Sequence, residues 1–249
     1  MHPTVNPTGP VDLRILGVDL AWGERRPDGV CVLEIRGHTA RITGLGLTHG
    51  DAQLLDLIDQ ELGTQAALLM VDGPLICPNL TGARPVDVLS HVHFRKQKCG
   101  CHPTNATRCP RPLRVAAALQ ARGYELGWAL PAAVCDLRLA AEVYPHPALV
   151  RFFDLSERIA YKRGPVAARR TEFQRLQALL GVCLKKYFPA VELSAAARAL
   201  LSTAWTKDLE DQTDALICAL IGYWHWHYRG ARTQVLGDRE TGFFLIPQP

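Results

Sequence analysis

Apolar and polar positions alternate between two rhythms along this chain. Leu13 to Val18 is an apolar-rich run of strand length, the pattern of a strand buried on both faces, and it finishes in Asp19. Asp28-Gly29 then turns the chain into Val30 to Ile35, rich in β-branched residues. Gly37-His38 turns it again into Ala40 to Leu47. Connections this short leave no room for a helical crossover, so the three strands are predicted to form an antiparallel meander. The rhythm next becomes helical over Ala52 to Leu62, with Leu54, Leu55, Leu57, Ile58 and Leu62 as its apolar stripe. Ala66 to Val71 returns to strand and ends in Asp72-Gly73-Pro74. A helical crossover places this fourth strand parallel to the first, and Asp72 at the same rim as Asp19. Ligands of open α/β sheets bind at such a rim.

From Ile76 to Pro112 the pattern breaks into a polar, proline-containing segment with four cysteines, read as an insertion over the rim (about residues 76–112). Leu113 to Gly123 is a short helix. Leu139 to Tyr144 is a fifth strand, stopped by Pro145 and followed by a helix from Pro147 to Phe153. Helices are predicted over Ala167 to Leu180 and over Ser194 to Ser202, the latter with Ser194 as N-cap. Asp208 to Trp226 carries the strongest helical pattern, with Leu216, Ile217, Leu220, Ile221 and Trp224 on one face; His225 and His227 are expected to be exposed. Val235-Leu236 and Phe243 to Ile246 close the chain as a hairpin. Residues 1–11, polar and rich in proline, read as a flexible tail ahead of a single α/β domain over residues 12–249.

Composition narrows the classes. Hydrophobic residues make up 48% of 249, which excludes global disorder and permits a sizeable core. No apolar run has membrane-spanning length and no secretory signal pattern opens the chain, so a cytoplasmic protein without a membrane partner is expected. Eight cysteines in that setting point to reduced thiols or metal ligands. A net charge of +4 permits an anionic partner without requiring one.

The candidate chemistry lies in acids at element ends: Asp19, Asp72, Glu142 late in the fifth strand, and Asp211 with Asp214 on the last helix. Residues three apart share a helix face, so the last two point together. Carboxylates brought together repel unless a cation neutralises them, and their hard oxygens suit Mg²⁺ or Mn²⁺. Two such ions support phosphodiester hydrolysis. Trp22 at the rim offers a stacking surface, Lys162 and Arg163 beside Gly164 a phosphate clamp, and Arg95 and Lys98 of the insertion a substrate grip. Cys99, Cys101, His102 and Cys109 supply soft ligands for a structural zinc. Their spacing departs from the paired C-x-x-C form, and a lid or gripping loop suits the segment better.

Gly17-Val18-Asp19-Leu20-Ala21-Trp22-Gly23, Val71-Asp72-Gly73-Pro74-Leu75, Glu142-Val143-Tyr144-Pro145-His146-Pro147, Tyr161-Lys162-Arg163-Gly164 and Asp211-Gln212-Thr213-Asp214-Ala215 resemble the successive motifs of the domain-of-unknown-function family 429. Members are described as predicted nucleases of the RNase H fold. The resemblance implies a mixed five-stranded sheet flanked by helices. It also implies metal ligation by Asp19, by either Asp72 or Glu142, and by Asp211 and Asp214. The leading expectation is therefore a metal-dependent nuclease acting on nucleic acid. Against it stands an actin-like or sugar-kinase-type nucleotide-binding enzyme, for which Gly44-Leu45-Gly46 inside a strand is a poor phosphate loop. A non-catalytic nucleic-acid-binding or scaffold protein is the third alternative.

Overall fold

The strand β1 (Leu13–Asp19) organises a sheet whose order follows from the lengths of its connections. In a computed structural model, residues 11–249 are described; the expected tail, except for its last residue, lies outside them. β1 pairs antiparallel with β2 (Asp28–Arg36), which pairs antiparallel with β3 (Thr39–Thr48), the expected meander. α1 (Gly50–Leu62) then crosses over to β4 (Ala67–Asp72), which lies parallel to β1 with Asp72 opposite Asp19 in register.

The segment expected as an irregular insertion contains α2 (Pro85–His93) and the start of α3 (Pro110–Ala121). There follow β5 (Glu125–Leu126), β6 (Arg138–Glu142), α4 (Pro145–Phe153), α5 (Val166–Tyr187), β7 (Val191–Glu192), α6 (Ala195–Leu200), α7 (Lys207–His227), β8 (Thr233–Asp238) and β9 (Gly242–Pro247). The main sheet runs β5-β6-β4-β1-β2-β3-β7, and only β2 opposes the others. The five expected strands are its centre. β5 and β7 extend it to seven, and at two residues each they are too short to carry a periodicity.

Side-chain alternation sorts β1 between two cores. Leu13 and Ile15 pack on the face covered by α4, α5 and α7, with Leu216, Leu220 and Trp224; Leu16 and Val18 pack on the face covered by α1 and α3, with Leu54, Ile58 and Leu119. A third cluster joins Val86 and Phe94 of the insertion to Leu236, Phe244 and Ile246 of the hairpin, so the C-terminal hairpin props the insertion from behind. Contrary to expectation, His225 is buried in this frame, its Nε2 2.8 Å from the Trp128 carbonyl. His227 is exposed.

Two glycines set how close α7 comes. A Cβ on Gly17 would run into the Ala215 carbonyl and the Ala219 nitrogen, and one on Gly29 into the Asp211 carbonyl. Their bareness lets the helix backbone lie directly on β1 and β2, with its acidic turn at the rim.

Candidate active site

Alternation decides which acids meet. Leu13, Ile15, Gly17 and Asp19 share one face of β1, and Leu68, Met70 and Asp72 share the same face of β4, the face that α7 covers. On β6 that face belongs to Leu139 and Ala141, so Glu142 projects to the other side. Asp19 meets Asp72, Asp211 and Asp214, whereas Glu142 leaves from the opposite face of the sheet and still comes near enough to Asp72 to raise it and to line the same cavity.

The four acids differ in what already satisfies them. Asp214 is fully buried; the Tyr161 hydroxyl donates to its Oδ1 at 2.6 Å, and Lys162 Nζ lies 2.6 Å from its Oδ2. Asp211 accepts from Lys207 Nζ at 2.6 Å, and Lys207 also reaches Glu210 at 2.7 Å. Asp19 shares a side-chain hydrogen bond with Asp211 and has Lys162 Nζ at 4.0 Å. Asp72 accepts no side-chain or backbone hydrogen bond from the described residues.

The electrostatics follow. Burial pushes Asp19 up to about 6, with Lys162 opposing and Asp211 adding. Burial likewise lifts Asp214 to about 6 against Lys162. Asp72 is held well above the ordinary carboxylate range by burial and by Asp19, Asp214 and Glu142, with Lys162 opposing. Burial works against the charge of Lys162, but Asp19 and Asp214 outweigh it and keep the ammonium firmly protonated. Two lysines against four aspartates leave the cluster short of positive charge.

Among the described residues, no three His, Cys, Asp or Glu side chains converge at metal-binding spacing. The carboxylate set nonetheless suits a hard divalent ion in donor type and in unmet charge: Asp72 has no donor, and Asp19 only the shared bond. The cysteine set does not suit zinc. Cys101 Sγ contacts Ser90 Oγ at 3.2 Å and Asp87 Oδ1 at 3.4 Å, Cys99 Sγ points at the Gln97 carbonyl, and His102 Nε2 meets Arg163 at 2.5 Å. All eight cysteines are free.

Glu142 belongs to a different construction. Arg84, 1% exposed, grips it with both guanidinium ends at 2.7 and 2.8 Å and also holds Asp87 at 3.0 Å. Asp87 in turn accepts from the Thr104 amide and hydroxyl, each at 2.8 Å. This chain of bonds bolts the insertion to the end of β6. A second clamp, Arg111 to Asp28 at 2.7 Å twice, fixes the loop that carries Trp22. The sequence marks neither arginine as a buried clamp.

Between the acids and the insertion lies a cavity of about 300 Å³. Asp19 and Asp72 line one part, Trp22 (36% exposed) stands among its walls, and Lys162, Arg163 and Arg158 line another. Lys162 thus enters as a counter-charge to the acids as well as a wall of the cavity. Arg95 and Lys98, expected to grip substrate, do not line it; Lys98 pairs with Glu157 on the surface at 2.7 Å. His146 lines it too, its Nδ1 buried without a partner among the described residues and its pKa pressed well below the ordinary value by burial and by Lys162, Arg158 and Arg163.

Residues 17–241 match a family described as "Protein of unknown function (DUF429)", and the chain belongs to that family. No curated protein and no solved structure matches it. Among the described residues no helix is long and apolar enough to cross a membrane.

Proposed function

We propose that this family member is a divalent-metal-dependent phosphodiesterase acting on nucleic acid, built on an RNase H-like sheet. The observation that carries the reading is Asp72: a carboxylate with no donor among the described residues, register-paired with Asp19 and close enough to Asp214 of α7 to be raised by its charge. A strand-one acid at the rim of a mixed sheet made of a meander and two parallel strands supports the RNase H-like assignment. Asp19, Asp72 and the α7 pair Asp211 and Asp214 would hold Mg²⁺ or Mn²⁺; Glu142, committed to Arg84, would not. When bound, such an ion polarises a phosphoryl oxygen and makes a hydroxide available near neutral pH.

The chain's own groups do the rest. Tyr161 fixes Asp214 in place through its hydroxyl. Lys162 keeps positive charge beside Asp19 and Asp214, where a phosphoryl group would otherwise meet the acids of the cluster. The bolted insertion walls the cavity, which limits water around the scissile ester. Trp22 offers a face on which a base stacks.

A second reading rests on one observation. Lys162 Nζ already lies 2.6 Å from Asp214, so the chain supplies a cation of its own and the acids form a structural cluster. Calorimetric titration with Mn²⁺ separates the two. On the metal reading the parent binds, and Asp19→Asn and Asp72→Asn lose binding while staying folded. On the structural reading the parent does not bind, and Lys162→Ala gains Mn²⁺ affinity.

A further inference from the structure

The cavity has a second chemical character that the acids do not use. Arg158 and Arg163 both line it, and neither makes an ion pair with any carboxylate among the described residues. Arg163 instead reaches His102 Nε2 at 2.5 Å, and Arg158 is tied only through its backbone, its amide donating to the Gln97 carbonyl at 2.9 Å. The positive field they create is felt by the neighbours: His102 is lowered by burial and then by Arg163, Arg108 and Arg158. Arg84, Asp19, Asp72 and Glu142 also line the cavity, but Arg84 is taken by Glu142 and Asp87, so Arg158 and Arg163 are the guanidinium groups left unpaired among the described residues that line it, and their planar forks match a phosphate in particular.

The shape of the cavity adds a limit. Its volume, about 300 Å³, lies at the small end of sites for small molecules, roughly 300–1,000 Å³. Its roof cannot swing aside cheaply. Gly100 to Thr104 belong to the insertion, and Thr104 is held by Asp87, Asp87 by Arg84 and Arg84 by Glu142 on β6. The hairpin packs behind that roof. A space of about 300 Å³ under a fixed roof suits the end of a chain better than a duplex.

We propose that the cavity is a seat for a terminal phosphate monoester, the phosphorylated end of a single strand or of a free nucleotide, with Arg158 and Arg163 as its phosphate ligands. The inference rests on the phosphodiesterase reading only for what happens next: a phosphate seated on the arginines brings the adjoining ester toward Asp19 and Asp72 and makes the action one on chain ends.

The test is binding, with Ca²⁺ present to screen the acids. Trithymidylate carrying a 5′-phosphate, a 3′-phosphate or neither is titrated into the parent and into Arg158→Gln/Arg163→Gln, whose fold is checked by circular dichroism. One phosphorylated form is expected to bind at least about tenfold tighter than the unphosphorylated one, the scale of one charged hydrogen bond, and the double variant to lose that preference. Thymidine 5′-phosphate and thymidine 3′-phosphate in the same titration tell the sources apart: affinity equal to the matching trinucleotide assigns a free nucleotide, weaker affinity a strand end. Equal binding with and without phosphate overturns the seat, as does a circular single strand binding as tightly as its linear phosphorylated form. Hydrolysis with Mn²⁺ is read separately. Cleavage of the circle as fast as of the linear strand overturns the inference and leaves the phosphodiesterase standing. Phosphate-dependent binding with no cleavage of any ester does the reverse.

Discussion

Around Arg84 every carboxylate oxygen has a donor. Asp87 Oδ1 takes Nε and an amino group of the guanidinium, its Oδ2 takes the Arg84 and Thr104 amides, and Glu142 takes both amino groups and the Leu75 amide. Around Asp19 and Asp72 the oxygens face a cavity, one with a single shared bond and the other with none. Both clusters lie at the rim where β1, β4 and β6 end, and Asp72 is close enough to Glu142 to be raised by its charge. The difference teaches how to tell a buried charge that holds the fold from one that awaits a partner: the first is saturated with hydrogen bonds, the second is not.

The sharpest way to break that contrast is Arg84→Met. It leaves Asp87 and Glu142 buried without their cation, and a loss of about 3–5 kcal/mol in urea denaturation is expected. The pair Arg84→Met/Glu142→Gln should recover part of it, since the amide needs no counter-charge. A loss under about 1 kcal/mol would mean that the clamp is not what secures the insertion.

The site should answer with the opposite sign. Asp19 titrates near 6 in the folded chain against an ordinary 3.8. Between those values the folded protein binds more protons than the unfolded chain, so stability falls as pH rises through that window. Asp19→Asn removes the cost and should stabilise the protein by about 2–3 kcal/mol at pH 8, a gap that closes toward pH 4. Destabilisation at pH 8 would place Asp19 with the saturated acids. Tyr161→Phe probes the bond that a neutral hydroxyl donates to the Asp214 carboxylate. Lys162 remains, so a loss of about 1.5 kcal/mol in thermal or chemical melts is expected.

Much of this rim could be read from the residues, and the unread parts share a cause. Meander, crossover and the pairing of Asp19 with Asp72 follow from connection length and apolar runs, both local. That Asp72 and Glu142 leave from opposite faces needed the register of β4 on β6, because a shift of one residue changes the face a side chain occupies. Arg84 and Arg111 do not show as clamps in the sequence because their partners lie 58 and 83 residues away, and an arginine in a polar stretch reads as surface. Helix α2 was hidden for a similar reason: Arg84 precedes it as N-cap, and Asp87 supplies the capping bond at 2.9 Å. Gly17 did carry a signal, since a glycine inside a buried strand marks close backbone approach, here that of α7.

The smallest effect calibrates the others. Lys98 and Glu157 form an ion pair on the outside of the insertion at 2.7 Å, with 64% and 54% of their side chains exposed. Water screens both charges and both side chains lose freedom in pairing, so Lys98→Met should shift stability by less than about 0.5 kcal/mol. Because Lys98 does not line the cavity, the same variant should bind phosphorylated trithymidylate as the parent does. A Lys98→Met protein that melts like the parent but binds a long single strand severalfold more weakly, with a shallower salt dependence, would extend the contact surface over the insertion. The distinction between saturated and unsaturated charge would then need a third class, exposed pairs that open to meet a polyanion.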